Sequence, residues 1–403
     1  MNEILIFFVT TFIFALFSKR LAGSIITAHM VFIAAGLLIG WLITSYIDIR
    51  NPPISDIVLL IAEIALVLVL FSDASRIGPG SLRGNNLPTR LLGIGLTLTI
   101  ILGIIIAALL FTDLTIWEAG IIGVVLAPTD AALGQIVVKN KKLPDGIRKT
   151  LEIESGLNDG LSVPFLLVFI AIGLAEETFR PIGLFIEVAL EQIGLGVLIG
   201  LSVGIIGGLL IIKARNRDWI TPTYQRIGFL AMALISFIIA DEIGGSGFIA
   251  AFIGGLATGY VIKDAGEILT DFTAEEGQLL NLAVFFLLGV ILASLIGSVT
   301  WQIVLYAILS LTVIRMIPVA VSLIGTKLNK NSILFIGWFG PRGLASIVLV
   351  LIAIERLHSF PGLNTVLLTV LITVLFSIFA HGITASPLSN LYARKIKEQL
   401  NNE

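Results

Sequence analysis

The 403-residue sequence contains no cysteine and few charged side chains. The absence of cysteine excludes disulfide bonds, thiolate metal sites and thiol catalysis. Charged residues make up 13% of the chain, about half the share that is usual in a soluble domain. The three histidines, His29, His358 and His381, are too far apart in sequence to indicate a metal site, and no basic patch indicates a nucleic-acid partner. We therefore expect neither a soluble enzyme nor a cofactor.

Long apolar runs dominate the chain, which is 57% hydrophobic with a mean hydropathy of +1.05. Because about 20 apolar residues cross a bilayer as a helix, these runs predict an all-α polytopic membrane protein with 13 transmembrane helices. The helices are predicted to begin near Ile4, Ile26, Ile57, Leu91, Ile116, Ile147, Ile193, Ile227, Phe248, Leu279, Trp301, Ile333 and Leu367.

The positions of the basic residues support this helix count. Of the 25 Lys and Arg residues, 20 follow odd-numbered predicted helices, and only Arg50, Arg180 and Arg356 follow even-numbered ones. Because cytoplasmic loops are rich in Lys and Arg, we expect a multi-pass protein of the cell (inner) membrane, with its N-terminus outside and its C-terminus cytoplasmic. The last two basic residues, Arg315 and Arg342, lie inside predicted spans.

Thirteen helices divide into two groups of six with helix seven as a linker between them. Because the linker crosses the membrane once, helices eight to thirteen have the opposite orientation to helices one to six. Such inverted repeats are common in secondary transporters. Predicted helix five is interrupted by Ala127-Pro128-Thr129-Asp130. Predicted helix twelve, the fifth of the second half, is interrupted by Gly340-Pro341-Arg342-Gly343. The sequence thus predicts two inverted six-helix repeats with broken helices five and twelve.

Ionisable side chains inside predicted spans are the candidate functional residues, because a charge at membrane depth is costly. The richest segment is Glu152-Ile153-Glu154-Ser155-Gly156-Leu157-Asn158-Asp159-Gly160 in predicted helix six. Ser155 and Asp159 share one helix face, and Glu154 and Asn158 share an adjacent one. A hydrogen-bonded packing network is the alternative interpretation. Three carboxylates favour ion binding, since packing contacts in membranes normally use Ser, Thr or Asn.

The break in predicted helix five combines a helix-breaking proline with two capping residues. Pro128 removes a hydrogen-bond donor, and Thr129 or Asp130 can cap the half-helix that restarts at Ala131. The carbonyl groups freed by such a break can bind a cation. We predict that Asp130 is a helix cap, an ion-binding charge, or both.

The remaining buried charges need partners. Arg342 keeps its charge, so we expect a buried carboxylate beside it, with Glu154 as the first candidate and Asp130 as the alternative. Arg315 is expected either to form a structural pair or to act in transport, and Glu63 to be structural or to pair with Arg315. Acids at the ends of predicted helices are expected to be solvated external charges: Asp113, Glu118, Glu176, Glu177, Asp241 and Glu242.

Three of these segments together resemble the NhaP-type sodium/proton antiporters of the monovalent cation:proton antiporter superfamily. They are Pro128-Thr129-Asp130, the run from Glu152 to Gly160, and Gly337-Trp338-Phe339-Gly340-Pro341-Arg342-Gly343, at the family's spacing over the whole membrane domain. Ile153 stands where the family commonly has Gly, away from the ion-binding face. The resemblance implies a six-helix core that moves against a dimer interface, with an ion site at the broken helices.

The resemblance also implies roles for individual residues. Asp159 would be the main carboxylate for cation and proton, Ser155 and the main chain of Thr129 would add oxygens, and Asp73 would complete the Na⁺ site. Asp130 would belong to the same ion-binding site, and Asn158, Glu154 and Arg342 would be its supporting residues. Position 73 has Asp where the family has Glu, so its side chain reaches less far toward the ion. The pair Asn158–Asp159, where electrogenic relatives have two Asp, implies electroneutral exchange.

The same resemblance divides the chain into an interface domain and a core transport domain, and implies a homodimer in the lipid bilayer. The interface domain comprises residues 1–85 and 219–297, the core comprises 86–178 and 298–388, a linker helix occupies 179–218, and a cytoplasmic tail occupies 389–403.

The expected function is secondary-active exchange of Na⁺ or Li⁺ for H⁺, with the two competing for Asp159 in an alternating-access site. Partial desolvation favours the protonated carboxyl, and hard cations prefer the carboxylate, hydroxyl and carbonyl oxygens present here. A K⁺/H⁺ or broad-specificity antiporter of the same fold is the alternative, because oxygen ligands alone do not set the ion's radius. An ion channel is a remote alternative, since channels favour symmetric filters. An intramembrane protease would need a catalytic pair such as Ser–His, which helix six lacks.

Overall fold

The computed structural model describes residues 2–21, 25–44, 56–78, 86–262 and 277–402, and the regular structure in these ranges is helical throughout. The helices are α1 (Asn2–Leu21), α2 (Ala28–Thr44), α3 (Asp56–Ser75), α4 (Asn86–Leu110), α5 (Ile116–Val125), α6 (Ala131–Val138), α7 (Asp145–Thr178), α8 (Ile182–Asn216), α9 (Pro222–Glu242), α10 (Gly247–Val261), α11 (Gln278–Leu295), α12 (Trp301–Leu311), α13 (Val313–Ser322), α14 (Lys330–Trp338), α15 (Leu344–Leu357) and α16 (Leu363–Asn402).

Seven helical segments in the described ranges are long and apolar enough to cross a bilayer. They are Asn86–Leu110, Asp145–Thr178, Ile182–Asn216, Pro222–Glu242, Gln278–Ser298, Trp301–Ser322 and Leu363–Glu398. Shorter apolar helices, such as α5 and α10, lie among them. This all-helical, apolar architecture agrees with a multi-pass membrane protein. The number of 13 spans and the inverted repeat stay predictions.

Both predicted helix breaks are confirmed. Predicted helix five is divided into α5 and α6, with residues 126–130 between them. Predicted helix twelve is divided into α14 and α15, with residues 339–343 between them. Each break contains a proline, which cannot donate the backbone hydrogen bond that a continuous helix requires.

Glycine brings one group of helices into close contact. Along α8, Gly196, Gly200 and Gly204 recur every four residues and face α10. A Cβ atom added at Gly200 or Gly204 would lie 2.5 Å from a backbone carbonyl oxygen of α10. On the opposite side of α10, a Cβ at Gly255 would lie 2.2 Å from the carbonyl oxygen of Phe71 in α3. Small residues allow backbones to approach this closely in membranes, so α10 is packed tightly between α8 and α3.

The helices form two packing groups. In the first, α2 packs on α11, and α10 packs on α3, α8 and α9. In the second, α4 packs on α5, α12 on α16, and α15 on α5, α7 and α16. Tyr306 of α12 donates a hydrogen bond to the carbonyl oxygen of Gly103 in α4 over 3.1 Å, within the second group. The groups meet where α7 contacts α3, α8 and α10, and where α15 contacts α3 and α11.

Candidate functional site

The first helix break is held by side chains from the second half of the chain. Where α5 ends, the carbonyl oxygen of Val125 accepts a hydrogen bond of 2.7 Å from Ser346 Oγ. The carbonyl oxygens of Ala127 and Pro128 accept hydrogen bonds of 2.6 and 2.8 Å from Arg342 Nη1. A guanidinium group is well suited to this position, because it satisfies the free carbonyl groups and opposes the negative end of the helix dipole.

Asp130 caps both restarting half-helices. Its Oδ1 accepts from the N–H of Leu133 in α6 over 2.9 Å, and its Oδ2 accepts from the N–H of Leu344, the first residue of α15, over 2.7 Å. Its own N–H donates to the carbonyl oxygen of Pro341 over 2.7 Å. A Cβ at Gly343 would lie only 2.0 Å from Asp130 Oδ2, so this approach requires glycine. The predicted capping role of Asp130 is confirmed.

The polar segment of α7 faces the interior from Glu154 to Asp159, whereas Glu152 is exposed. Asn158 Nδ2 donates to Thr129 Oγ1 over 2.8 Å, which ties α7 to the first break. Ser155 Oγ donates to the carbonyl oxygen of Leu151 in its own helix over 2.9 Å. Asp159 is buried, and among the residues that the structure describes no group forms a hydrogen bond with its Oδ1.

The expected pairing of Arg342 with Glu154 is wrong. Glu154 pairs instead with Arg315 of α13, with 2.5 Å between Oε1 and Nη1, and both side chains are buried. Arg342 finds its partners in backbone carbonyls, and the alternative partner Asp130 accepts from backbone N–H groups. Because Arg315 pairs with Glu154, the alternative in which Glu63 pairs with Arg315 is wrong, and a structural role of Glu63 stays a prediction.

Arg315 lies against the second helix break. A Cβ at Gly340 would be 2.4 Å from Arg315 Nε, so the glycine leaves room for the guanidinium group. The backbone N–H of Arg342 in the same break donates to Ser377 Oγ of α16 over 2.6 Å. His381, one turn further along α16, contacts the carbonyl oxygen of Trp338 over 2.8 Å. The second break is thus fixed by α13 and α16.

Three of the predicted site residues, Asp73, Asp130 and Asp159, line one cavity of about 100 Å³. Asp73 lies near its neighbour Arg76, with 3.6 Å between Oδ1 and Nη1. Ser155 and Thr129 lie outside the cavity lining within the described residues. The structure therefore brings the three carboxylates to one cavity, and the two hydroxyl residues are not part of its lining.

The cavity also contains residues that the sequence analysis did not select. His29 of α2 and Gln278 and Asn281 of α11 form part of its wall. The available signal was a polar or ionisable side chain inside an apolar predicted span, which is costly at membrane depth and marks functional positions. His29 was considered only as a metal ligand.

Glu118 differs from the expectation of a solvated external charge. It is fully buried at the start of α5, where its Oε2 accepts from the N–H of Thr115 over 2.7 Å in a capping box. Its Oε1 accepts from the N–H of Gly362 over 2.7 Å, just before α16. Glu118 therefore joins the start of α5 to the segment before α16. These positions are 244 residues apart, so the sequence pattern does not indicate the contact.

Comparison with known proteins places this architecture among cation transporters. The model of the sodium/hydrogen exchanger transmembrane family matches residues 5–391. The K(+)/H(+) antiporter NhaP of Alkalimonas amylolytica is 26% identical over 396 residues, which is 95% of this chain and 65% of that protein. The Na(+)/H(+) antiporter ApNhaP of Aphanothece halophytica is 28% identical over 355 residues, which is 84% of this chain and 66% of that protein. The chain thus spans about two thirds of the length of these relatives.

The fold is shared with a solved structure, that of the sodium proton antiporter MjNhaP1 from Methanocaldococcus jannaschii at pH 8. The TM-score is 0.75 at 21% sequence identity, with 98% of this chain and 97% of that chain covered. All of these similar proteins are named as transporters, which agrees with the expectation that this chain is not an enzyme. The match over residues 5–391 shows that the chain belongs to the transmembrane sodium/hydrogen exchanger family, as its resemblance to NhaP-type antiporters implied.

Proposed function

We propose that this chain exchanges Na⁺ or Li⁺ for H⁺ by electroneutral antiport, and that cation and proton compete for Asp159. The observation that carries this proposal is the buried Asp159 carboxylate on the wall of the cavity, with its Oδ1 free of any hydrogen bond from the described residues. A buried carboxylate without a partner is costly as a bare charge, so it favours the binding of either a proton or a cation.

The surroundings of the other two carboxylates make them less suitable as the exchanging group. Both oxygens of Asp130 already accept backbone hydrogen bonds at the crossing of the two breaks. Asp73 has the guanidinium group of Arg76 nearby. Their charges still face the cavity, where they attract a cation toward Asp159.

The remaining ligands proposed for Na⁺ are Ser155 on α7, Thr129 at the first break and Asp73 on α3. Ser155 is one helical turn before Asp159, and Thr129 is fixed by its hydrogen bond with Asn158. A Cβ at Gly156 would lie 3.5 Å from Asp73 Cβ, so α3 packs closely on this turn of α7. Oxygens from Asp159, Ser155, the Thr129 main chain and Asp73 would form the hard ligand set that Na⁺ prefers.

Transport would occur by movement of the second packing group against the first. This grouping supports the proposed division into a core, 86–178 and 298–388, and an interface domain, 1–85 and 219–297, with 13 spans in two inverted repeats. Broken helices at the repeat interface are typical of secondary transporters. Arg76 and the exposed Gln135 line the cavity, and both are close in sequence to the basic segments assigned to the cytoplasm, so we propose that it opens inward. We further propose a homodimer, as the resemblance to NhaP-type antiporters implies.

K⁺/H⁺ exchange is the second candidate. It is favoured by the name of the Alkalimonas relative, which is a K(+)/H(+) antiporter, whereas the Aphanothece relative is an Na(+)/H(+) antiporter. The oxygen ligands proposed here suit either ion, so the choice between Na⁺ and K⁺ depends on measurement.

Proton flux in everted membrane vesicles tests the proposal. Addition of Na⁺ or Li⁺ to vesicles that are acidic inside should release protons, at a rate unchanged by an imposed membrane potential, whereas K⁺ should give little release. Asp159→Asn should abolish the exchange. Asp145→Asn is the matched control in the same helix, because Asp145 is 77% exposed and far from the cavity lining. Exchange that survives in the Asp159 variant would disprove the site, and acceleration by the potential would disprove electroneutrality.

A further inference from the structure

Two polar side chains outside the proposed ligand set line the cavity, and each has one buried atom that no described residue hydrogen-bonds. His29 Nε2 and Asn281 Oδ1 are both buried, and no residue in the described part of the chain forms a hydrogen bond with either atom. Both residues line the cavity together with Asp159, whose Oδ1 also has no hydrogen bond from the described residues. Buried polar groups are normally hydrogen-bonded, so three such atoms around one cavity indicate a polar occupant.

These two residues belong to the packing group opposite Asp159. His29 is on α2 and Asn281 is on α11, and these helices are in backbone contact: a Cβ at Gly36 would lie 2.0 Å from the carbonyl oxygen of Phe286. The His29 ring also packs edge-to-face on Phe285 of α11, with 4.8 Å between the ring centroids. His29 and Asn281 are therefore held as one unit, while Asp159 and Asp130 lie on α7 and at the first break.

The chemistry of the two atoms differs from that of the proposed ligands. An imidazole nitrogen is not a preferred ligand of a hard alkali cation, but it donates to or accepts from a water molecule. An amide oxygen can bind either a cation or water. The cavity of about 100 Å³ has room for an ion and water, since one water molecule occupies about 30 Å³ of the liquid.

We infer that the cation at Asp159 is bound partly hydrated, and that His29 and Asn281 bind its remaining water and so help determine which cation is accepted. This inference rests on the proposed function. The two residues are specificity-determining residues on the interface side, and Asp159 carries the charge on the core side. When the core moves with its ion, the ion leaves His29 and Asn281 behind.

In this arrangement, His29 and Asn281 affect the binding of a cation that enters from one side of the membrane only. Loss of either side chain should weaken cation binding where the cavity is open, on the proposed cytoplasmic side, and leave binding from the other side unchanged. Because the water shell differs in size among Li⁺, Na⁺ and K⁺, their relative rates should also change. A residue with a purely structural role would change both sides equally.

The experiment compares His29→Phe and Asn281→Leu with the wild type in everted and right-side-out vesicles. The apparent KM for Na⁺ in everted vesicles should rise about fivefold to tenfold, which matches the loss of one hydrogen bond to a buried polar group. In right-side-out vesicles it should change less than twofold. His29→Gln, which keeps a polar group, should recover most of the wild-type KM. Gln225→Leu is the matched control, because Gln225 is equally buried with an unpartnered Nε2 but lies on α9, outside the cavity lining.

The outcomes separate this inference from the proposed function. Equal KM changes on both sides, a change only in right-side-out vesicles, or no change in either variant would disprove the inference while wild-type exchange continues. Absence of cation-dependent proton flux in the wild type would disprove the function. In that case, Na⁺-dependent thermal stabilisation of the purified protein still tests the inference: the midpoint Na⁺ concentration should rise fivefold to tenfold in Asn281→Leu, and an unchanged midpoint would disprove it.

Discussion

Two buried arginines in this molecule have partners of different kinds. Arg315 neutralises the carboxylate of Glu154, whereas Arg342 binds the carbonyl groups of Ala127 and Pro128. Removal of a carboxylate therefore affects the two guanidinium groups differently. Loss of Glu154 leaves a charge buried without its counter-ion, while Arg342 keeps its backbone partners.

Glu154→Gln should lower the free energy of unfolding by about 3–5 kcal/mol, because Arg315 is left buried and unpaired. The double variant Glu154→Gln/Arg315→Met should be more stable than the single variant. Thermal unfolding in detergent measures both. Asp145→Asn is the control, since its exposed ion pair with Arg148 should contribute less than about 1 kcal/mol. Similar melting temperatures for Glu154→Gln and Asp145→Asn would contradict the importance of the buried pair.

Asn158→Asp tests the stoichiometry at the neighbouring position. Asn158 donates to Thr129 Oγ1, and a carboxylate could keep this contact as an acceptor, so the fold should be preserved. A second negative charge would then lie beside Asp159. We expect transport either to be lost or to become sensitive to an imposed membrane potential, as measured by proton flux in vesicles. An unchanged rate without voltage dependence would show that position 158 does not set the stoichiometry.

The residue-level predictions from the sequence were right about the burial of Glu154, Asn158 and Asp159. They were wrong about Glu152, which is exposed, and about some of the partners. The polar residues of α7 and the breaks could be identified because they lie in apolar segments. The pairing of Glu154 with Arg315 could not, because it depends on how α13 crosses the second break, where Gly340 leaves space for the guanidinium group. The ligand roles of Ser155, Thr129 and Asp73 stay predictions.

At the scale of helices, the stripe of small residues on α8 is a steric requirement. Gly200→Leu should destabilise the protein by about 1–3 kcal/mol or more, because the new Cβ would lie 2.5 Å from the carbonyl oxygen of Ala250 and α8 would have to move from α10. Gly194→Leu, on the same helix with no atom within 4 Å of its added Cβ, is the control. Thermal unfolding should separate the two variants; equal melting temperatures would contradict tight α8–α10 packing.

The existence of the helix breaks was predictable at this scale, and their mutual contact was not. A proline beside polar residues inside an apolar run is a local signal, which the sequence displays at both Pro128 and Pro341. The caps that Asp130 supplies to α6 and α15 join positions 214 residues apart. No periodic pattern in the sequence indicates such a contact. The same reason explains why the sequence predicts a solvated charge at Glu118, which the structure buries.

At the scale of the whole molecule, antiport through one carboxylate has a kinetic signature. If cation and proton exclude each other at Asp159, the apparent KM for Na⁺ should rise as the pH falls, by up to about tenfold per pH unit, because each site then requires displacement of one proton. Initial rates of ²²Na⁺ uptake into proteoliposomes at several pH values measure this dependence. A KM independent of pH would indicate separate sites for the two ions.

The overall class of the molecule followed from composition, and its family from three motifs. What the sequence could not supply was the side of the cavity that α2 and α11 form. His29 and Asn281 lie on helices with no other unusual charge, and only the packing of α2 and α11 beside α7 and the first break brings them to the cavity. A single polar side chain in an apolar span was the only sequence signal at each of these positions, and long-range packing brings them to the cavity.

The double cap formed by Asp130 has a consequence for biosynthesis. Leu344 is made more than two hundred residues after Asp130, so the first half of the chain enters the membrane before its break can be completed. Until then, the carbonyl groups of Ala127 and Pro128 lack Arg342, and Asp130 lacks its second helix. Domains generally form in order from the N-terminus during synthesis. Here the centre of the molecule must wait for residues of the second half of the chain, so the proposed ion site would assemble late.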